Sequence, residues 1–330
     1  MKESKNSNLY KAKNTKNDEF YTKYEDIEKE LINYKKELKN KTIYLNADNP
    51  NQSNFYKYFK DNFKELEIKK VITTYLDKEN NSYITTYNGI EEIKIPLNGN
   101  GDFRSEECIE ILKQDNIIIT NPPFSLFGQF IDLLMKYNKK FLLIGSTNVN
   151  NKKEIAELII EDKIHTGINH GKMIFNTPSG EEKTFANIRW YTNLNNDKDN
   201  EYLKLTKSYY ENPDYYEKYY NYDGININRI KDIPYDYRGE MGVPITFLDI
   251  YNPNQFEITG IANNCIKTKF DHKRINKDEY AYFDNDKLLH KVPYSLKEAK
   301  NGNSLRIANK DGSPGKMPYI RIITKLKNIG

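Results

Sequence analysis

Ile117-Ile118-Ile119-Thr120-Asn121-Pro122-Pro123-Phe124 is the stretch on which the fold turns. The β-branched run, opened by Asn116, lacks polar alternation and reads as a strand buried on both faces, as in the middle of a parallel sheet. Two successive prolines then fix two φ angles and donate no N–H. The strand therefore ends in a stiff loop whose carbonyls and Asn121 amide point outward. Ligands of open parallel sheets collect beyond the carboxyl ends of the strands, which is where this loop falls.

Strand and helix signals alternate on both sides of it. Upstream, residues 26–39 place Ile27, Leu31, Tyr34 and Leu38 at helical spacing. A strand at 41–46 and the turn Ala47-Asp48-Asn49-Pro50 lead into an aromatic helix over 53–63, and the apolar run 70–76 completes a βαβ unit. A strand at 93–97, the turn Asn98-Gly99-Asn100-Gly101 and a helix at 106–113 bring the chain to the central strand. Downstream, Phe127, Phe130, Ile131, Leu134 and Met135 share a helix face, 141–144 is a buried strand, 152–161 a helix, and 168–175 and 188–194 are strands that close the sheet. The pattern predicts an α/β domain over residues 1–200 with a doubly wound, mostly parallel sheet, opening with a polar arm at 1–16. From 201 onward the rhythm breaks into Tyr-, Asp- and Asn-rich sequence with short strand-like runs at 244–248 and 320–323. That predicts a second, irregular α+β domain over 201–330.

With 330 residues, 37% of them hydrophobic, the chain can bury a real core, which excludes disordered chains and disulfide-stapled miniproteins. Cys108 and Cys265 stand far apart and outside any metal-ligand spacing, as expected in a reducing cytoplasm. His165 and His170 have no acid or cysteine at ligand spacing, so no metal is expected. No leader-like segment and no run of about 18 apolar residues is present, and no membrane association is expected. The net charge of +4 rests on basic residues of which only seven are Arg, a bias that A/T-rich codons would also supply. Yet residues 261–330 hold 15 Lys and Arg against 7 Asp and Glu, a local +8. A basic segment behind a mildly acidic body suits a polyanionic partner.

The loop itself suggests a chemistry. The exocyclic amine of a purine is a poor nucleophile because its lone pair is delocalised into the ring. If the Asn121 side-chain oxygen and the Pro122 carbonyl each accept one N–H, the nitrogen is drawn toward tetrahedral geometry and its developing charge is stabilised. Pro123 holds the turn, and Phe124 supplies a face for a flipped base to stack on.

This loop resembles the catalytic motif of S-adenosylmethionine-dependent amino-methyltransferases. The resemblance extends in one order along the chain through Lys11-Ala12-Lys13, Asp18-Glu19-Phe20-Tyr21-Thr22, Ser53-Asn54-Phe55, Gly101-Asp102-Phe103-Arg104-Ser105, Thr192-Asn193-Leu194 and Met241-Gly242-Val243-Pro244 to Gln255-Phe256-Glu257. These strings resemble the EcoRI-type adenine-specific DNA methyltransferases, and the last 70 residues resemble them least. The resemblance implies a Rossmann-like methyltransferase fold, S-adenosyl-L-methionine as cofactor, double-stranded DNA as partner and adenine N6 as acceptor. It also implies that Phe20 and Tyr21 line the methionine end of the cofactor, that Thr22 bonds its carboxylate, and that Asp102 and Phe103 receive its adenine. Asn46, Ala47, Asp48 and Pro50, followed by Ser53, Asn54 and Phe55, stand where the cofactor-binding turn belongs, and Asn121 borders it. Most methyltransferases carry glycines in this turn. The EcoRI type has Asn-x-Asp-Asp-Pro instead, and here Asn49 replaces the second acid, leaving Asp48 as the preferred carboxylate. Asp77 is a poor fit to the acid that holds the cofactor ribose.

Residues from 201 onward are expected to read DNA. Seven tyrosines between 209 and 222 either stack on bases or bury one face of a helix through the pairs Tyr215/Tyr219 and Tyr216/Tyr220. Arg104, Arg189, Arg229 and Arg238 are candidate DNA contacts or structural salt-bridge partners, and Trp190 is expected in the core. A monomer suffices to modify one strand at a time, and a restriction endonuclease sharing the target site need not bind directly. The same loop on RNA adenine or a protein glutamine, and an inactive DNA-binding relative, are the alternative readings.

Overall fold

The computed structural model describes residues 20–76, 82–114, 116–151, 153–177, 179–195, 202–262, 266–268, 271–274, 279–284, 287–293 and 305–327. The N-terminal arm, Asp77 and Cys265 lie outside them, as does much of the basic 261–330 segment. The chain divides into two compact units, Met1–Lys152 with His165–Asn196, and Lys153–Ile164 with Asp197–Gly330.

The first unit is α/β. After β1 (Tyr21–Thr22), α1 (Tyr24–Leu31) buries Ile27 and Leu31. The helical signal over 26–39 does not become one helix. The Asn33 side chain donates to the Lys29 and Glu30 carbonyls, a tight turn follows at Ile32–Tyr34, and a single helical turn resumes at Lys35–Leu38. Next come β2 (Thr42–Leu45), α2 (Asn54–Asp61), β3 (Lys70–Thr73), β4 (Tyr83–Tyr87), β5 (Glu92–Pro96), α3 (Glu106–Lys113), β6 (Asn116–Thr120), α4 (Phe127–Lys136) and β7 (Lys140–Ser146). Helices α2 and α3 begin where the sequence supplies serine caps. Ser53 accepts from Tyr56 N–H, and Ser105 accepts from Cys108 N–H with Glu106 and Glu107 in the first turn.

The main sheet has eight strands in the order β5-β4-β3-β2-β6-β7-β11-β8, with β8 at His165–Thr166 and β11 at Ile188–Thr192. Only its centre, β3-β2-β6-β7, is parallel, whereas β4-β5 on one side and β11-β8 on the other run antiparallel. The sheet is thus mixed, where a mostly parallel one was expected. Central β6 is buried along its whole length, as its unbroken apolar run requires. The strand expected at 168–175 forms only in part. Its end forms β9 (Met173–Asn176), which lies between β1 and β10 (Glu182–Phe185) in a separate antiparallel sheet. Trp190 sits in β11 and meets Phe55 edge-on in the core.

From β2 the chain steps outward to β3, then returns to place β6 on the other side of β2. The strand order therefore reverses between β2 and β6. The loops leaving their carboxyl ends, Asn46 to Pro50 and Asn121 to Phe124, flank that switch point.

The second unit contains α5 (Lys153–Ile160), which packs on β15 (Phe256–Ala262) and so leaves the sheet to which its sequence position assigned it. Its six-stranded sheet runs β12-β13-β14-β20-β15-β16, with β12 at Glu217–Lys218, β13 at Gly224–Asn226, β14 at Glu240–Pro244, β16 at Ile266–Thr268 and β20 at Arg321–Leu326. The β13–β14 pair is parallel and the others are antiparallel. Strands β17 (Asp271–Arg274), β18 (Glu279–Asp284) and β19 (Lys287–Pro293) make a separate meander. The tyrosine-rich segment is no helix: Pro213–Tyr215 is a short 3-10 turn that runs into β12. Tyr216, Tyr219 and Tyr222 are buried, while Tyr210 and Tyr215 are exposed. No helix among the described residues is long and apolar enough to cross a membrane.

Candidate active site

Asn121 leaves β6 directly after Thr120, and its amide is already oriented. Nδ2 donates to the Phe20 carbonyl at 2.7 Å, while Oδ1 is buried with no hydrogen-bond partner. Pro122 is buried, and the Pro123 carbonyl accepts from Leu126 N–H to close the turn that begins at Phe124. The Phe124 ring stacks on Phe20 at 5.6 Å and 25°, and Phe175 and Phe185 meet it edge-on. One face of Phe124 is therefore covered by Phe20, an aromatic the sequence reading had given to the cofactor. Phe175 and Phe185 were missed altogether, because β9 reaches the loop only through pairing with β1, and β10 only through pairing with β9.

The N-terminal motif closes on the same place. Thr22 is buried, its Oγ1 has no partner, and its carbonyl accepts from Asn54 Nδ2 at 2.7 Å. Tyr21 donates through its hydroxyl to Gln52. At the end of β2, Asn46 is buried with Oδ1 unpartnered and Ala47 is half-buried. Of the five buried side-chain oxygens without a partner among the described residues, three belong to Thr22, Asn46 and Asn121. Orphaned polar atoms are costly, and their grouping on the three motifs that the resemblance gives to cofactor and catalysis fits a ligand rich in polar groups. S-adenosylmethionine offers an ammonium, ribose hydroxyls and an adenine amine, and the Thr22 hydroxyl can donate to its carboxylate. The residues present fit that group.

Asp48 is used differently from the expectation. Its carboxylate accepts from Ser53 Oγ at 2.6 Å and from Thr120 Oγ1 at 2.5 Å, and burial pushes its pKa up to about 6 against these two hydrogen bonds. Ser53 is thereby occupied with Asp48 and the α2 cap, and Phe55 is in the core against Trp190. Pro50 and Asn54 border a polar cleft of about 510 Å³ beside α2 that neither Thr22, Asn46 nor Asn121 lines.

Asp102 and Phe103 are not presented as an open adenine clamp. Arg104 grips both Asp102 oxygens, through Nε at 2.9 Å and Nη2 at 2.7 Å, which holds the carboxyl below its usual range. Phe103 packs against Phe130, with the Arg104 guanidinium over its ring. Arg104 also donates to Gln129, so its partners are intramolecular. Arg189 is buried and donates to the Ala186 and Ile188 carbonyls, a structural placement that gives it no phosphate-facing fork. In the second unit, Arg229 is exposed and held by Asp232 and the Tyr215 hydroxyl, and exposed Arg238 donates to the Tyr235 carbonyl. Two further groups escaped the sequence reading. Arg321 is buried and donates to Asn226 Oδ1, and Glu30 is buried and takes the N–H groups of Ile168 and Asn169. Neither was singled out from sequence, because the partners that bury them, Asn226 for Arg321 and Ile168 and Asn169 for Glu30, are remote along the chain. No group of three His, Cys, Asp or Glu among the described residues could hold a metal.

Unpaired acceptors beside a rigid Pro-Pro turn at a switch point suit an amine substrate rather than a carbonyl, which is what an amino-methyltransferase requires. Comparison with known families makes this specific: residues 8–327 match the model of the adenine-specific methyltransferase EcoRI, and the chain belongs to that family. It is 41% identical over 288 residues to Type II methyltransferase M.EcoRI of Escherichia coli, covering 77% of this chain and 88% of the relative. It is 35% identical over 337 aligned positions to Type II methyltransferase M.MgeORF184P of Mycoplasma genitalium, covering 97% and 98%. Against Type II methyltransferase M.MpnI of Mycoplasma pneumoniae it is 36% identical over 276 residues, covering 78% and 86%. No solved structure matches it.

Proposed function

We infer that this chain methylates N6 of adenine in duplex DNA at a specific site, as a restriction-modification or orphan modification enzyme. The observation that carries the reading is Asn121: its Nδ2 is anchored on Phe20, and its Oδ1 is buried without a donor. An amine N–H entering the site supplies that donor. S-adenosylmethionine, when bound, supplies a sulfonium methyl for in-line displacement, and the chain's own work is to prepare the amine. Asn121 Oδ1 and the Pro122 carbonyl accept its two N–H groups, stabilise the positive charge that grows on nitrogen and free the lone pair. Phe124 offers the ring face away from Phe20 to the flipped base. Thr22, Asn46, Ala47 and Tyr21 hold the cofactor, with Phe20 closing the site.

The second unit is proposed to read the target, with Arg229, Arg238 and the exposed Tyr210 and Tyr215 as contacts and the basic segment 261–330 on phosphates. A Rossmann-like cofactor domain, action as a monomer in the cytoplasm, and a cognate endonuclease that shares the site without binding complete the reading.

Asn121→Ala should reduce methylation by at least about 100-fold, the cost of one such acceptor, while DNA affinity is retained. Transfer of labelled methyl to duplex DNA, followed by sequencing that detects methyladenine, measures both activity and site. A fully active Asn121→Ala protein, or a wild type that leaves no methyladenine, would overturn the reading.

A further inference from the structure

We propose that Asp48 is a positioning residue for methyl transfer: its carboxylate ties the turn after β2 to Thr120 and thereby sets the direction of Asn121. The proposal rests on the reading of Asn121 as catalytic and deepens it.

Asp48 is fixed from several sides. Its N–H donates to the Thr74 carbonyl at 3.2 Å, and its carbonyl accepts from Thr73 Oγ1 at 2.9 Å, so its backbone is fastened to the end of β3. With the backbone set, one carboxylate oxygen takes the Ser53 hydroxyl at the cap of α2 and the other takes the Thr120 hydroxyl at the end of β6. A carboxylate meant for a cofactor ammonium or ribose would keep an oxygen turned toward the ligand. Here each oxygen is matched to a protein hydroxyl, while the nearby acceptors left without a donor are on Asn46 and Asn121.

The tie also falls where the backbone no longer supplies one. The ladder between β2 and β6 pairs Thr42 with Asn116, Ile43 with Ile117 and Tyr44 with Ile118, and extends no further. Beyond that register the two chains part to form the crevice. The Asp48–Thr120 bond spans 72 residues of sequence and is the next link across the opening. On its other side Thr120 is held by pairing with Leu143 of β7, so the position of Asn121 Cα is defined from both neighbouring strands. The Phe20 carbonyl then fixes the rotation of the Asn121 amide. A displacement of about 1 Å at a reacting group can cost about 100-fold in rate, which gives such a tie catalytic weight without contact to substrate. A turn carrying side chains in place of glycines is what makes a carboxylate at this position possible.

The test uses the full chain and four variants: Asp48→Asn, Thr120→Val, Thr120→Ser and the double variant Asp48→Asn/Thr120→Val. Single-turnover methylation is measured at saturating S-adenosylmethionine and duplex DNA, and S-adenosylmethionine affinity by calorimetry. Asp48→Asn and Thr120→Val should each slow methyl transfer by about 10- to 100-fold with cofactor affinity unchanged. Thr120→Ser restores the hydroxyl and should restore the rate, and the double variant should be no slower than the slower single one. A loss of cofactor affinity with the saturated rate intact would make Asp48 a cofactor ligand and overturn the proposal. A fully active Thr120→Val, a Thr120→Ser as slow as Thr120→Val, or additive losses would overturn it as well. Should Asp48→Asn fail to fold, the two Thr120 variants decide. Asn121→Ala run beside them separates the two readings. If it is active, the loop assignment falls and the proposal with it, whereas an inactive Asn121→Ala beside a fully active Thr120→Val removes the proposal alone.

Discussion

Replacing Asp48 with Asn should change stability by an amount that depends on pH, and the size of the change follows from the burial of one carboxyl. Its pKa is raised from 3.8 to about 6 by removal from water, more than the Ser53 and Thr120 hydroxyls lower it. A rise of about two units corresponds to about 3 kcal/mol. In the unfolded chain the group loses its proton near its ordinary value, so between about pH 4 and 6 the folded state holds a proton that the unfolded state has released. Stability therefore falls as pH rises through that window, and the full cost of the buried charge is present above about pH 6. Asparagine never ionises, and its lost acceptor is an offset that pH does not alter. Relative to the wild type, the variant should gain about 3 kcal/mol between about pH 4 and 7.5. Groups that titrate alike in both proteins cancel in the difference. Urea unfolding followed by the fluorescence of Trp190, the chain's single tryptophan and buried in the same unit, reads this directly. A difference that stays flat from pH 4 to 8 would refute the argument, and a slope of opposite sign would mean that a cation stabilises the carboxylate.

Glu30→Gln should destabilise the first unit by about 3 kcal/mol, because the acid accepts from Ile168 N–H, Asn169 N–H, Asn169 Nδ2 and the Tyr34 hydroxyl, and an amide nitrogen cannot accept; an unchanged unfolding midpoint would contradict this. Gly101→Ala should cost at least about 2 kcal/mol, since φ is +75° and a Cβ would lie 2.0 Å from the Tyr75 carbonyl oxygen, and thermal unfolding measures it. Arg229→Ala should weaken DNA binding and lower the slope of log affinity against log salt by about one if the guanidinium meets a phosphate, whereas loss of discrimination at one base pair with the slope intact would place it on a base edge.

Much of the site was readable along the chain because its signals are local. An apolar run without alternation makes β6 a central strand, two prolines end it, and Asn121 then has nowhere to go but the mouth of the sheet. The aromatic stretch over 53–63 and the stretch over 106–113 form α2 and α3 close to where they were read, and Trp190 falls within an apolar strand and is buried as expected. Where the outcome was left open, the folded geometry of neighbouring residues decided it. Arg104 and Arg189 were each open as a DNA contact or a structural partner; Asp102 and Gln129 engage the first, and the Ala186 and Ile188 carbonyls accept from Nη1 of the second. The tyrosines at i, i+4 spacing suggested a helix, but pairing of Glu217 with Asn226 and Lys218 with Ile225 draws that segment into a sheet.

The sequence by itself determined the alternation of strands and helices, the loop after β6 and, through the order of its motifs, the family. Periodicity, capping and proline act over a few residues, and a single chain displays them in full. Only the tertiary structure decided that the edges of the main sheet run antiparallel, that Phe20 covers Phe124, and that Asp48 turns to Thr120. Those outcomes depend on which strands become neighbours, and a carboxylate has no preference among hydroxyls until the fold places one within 2.5 Å.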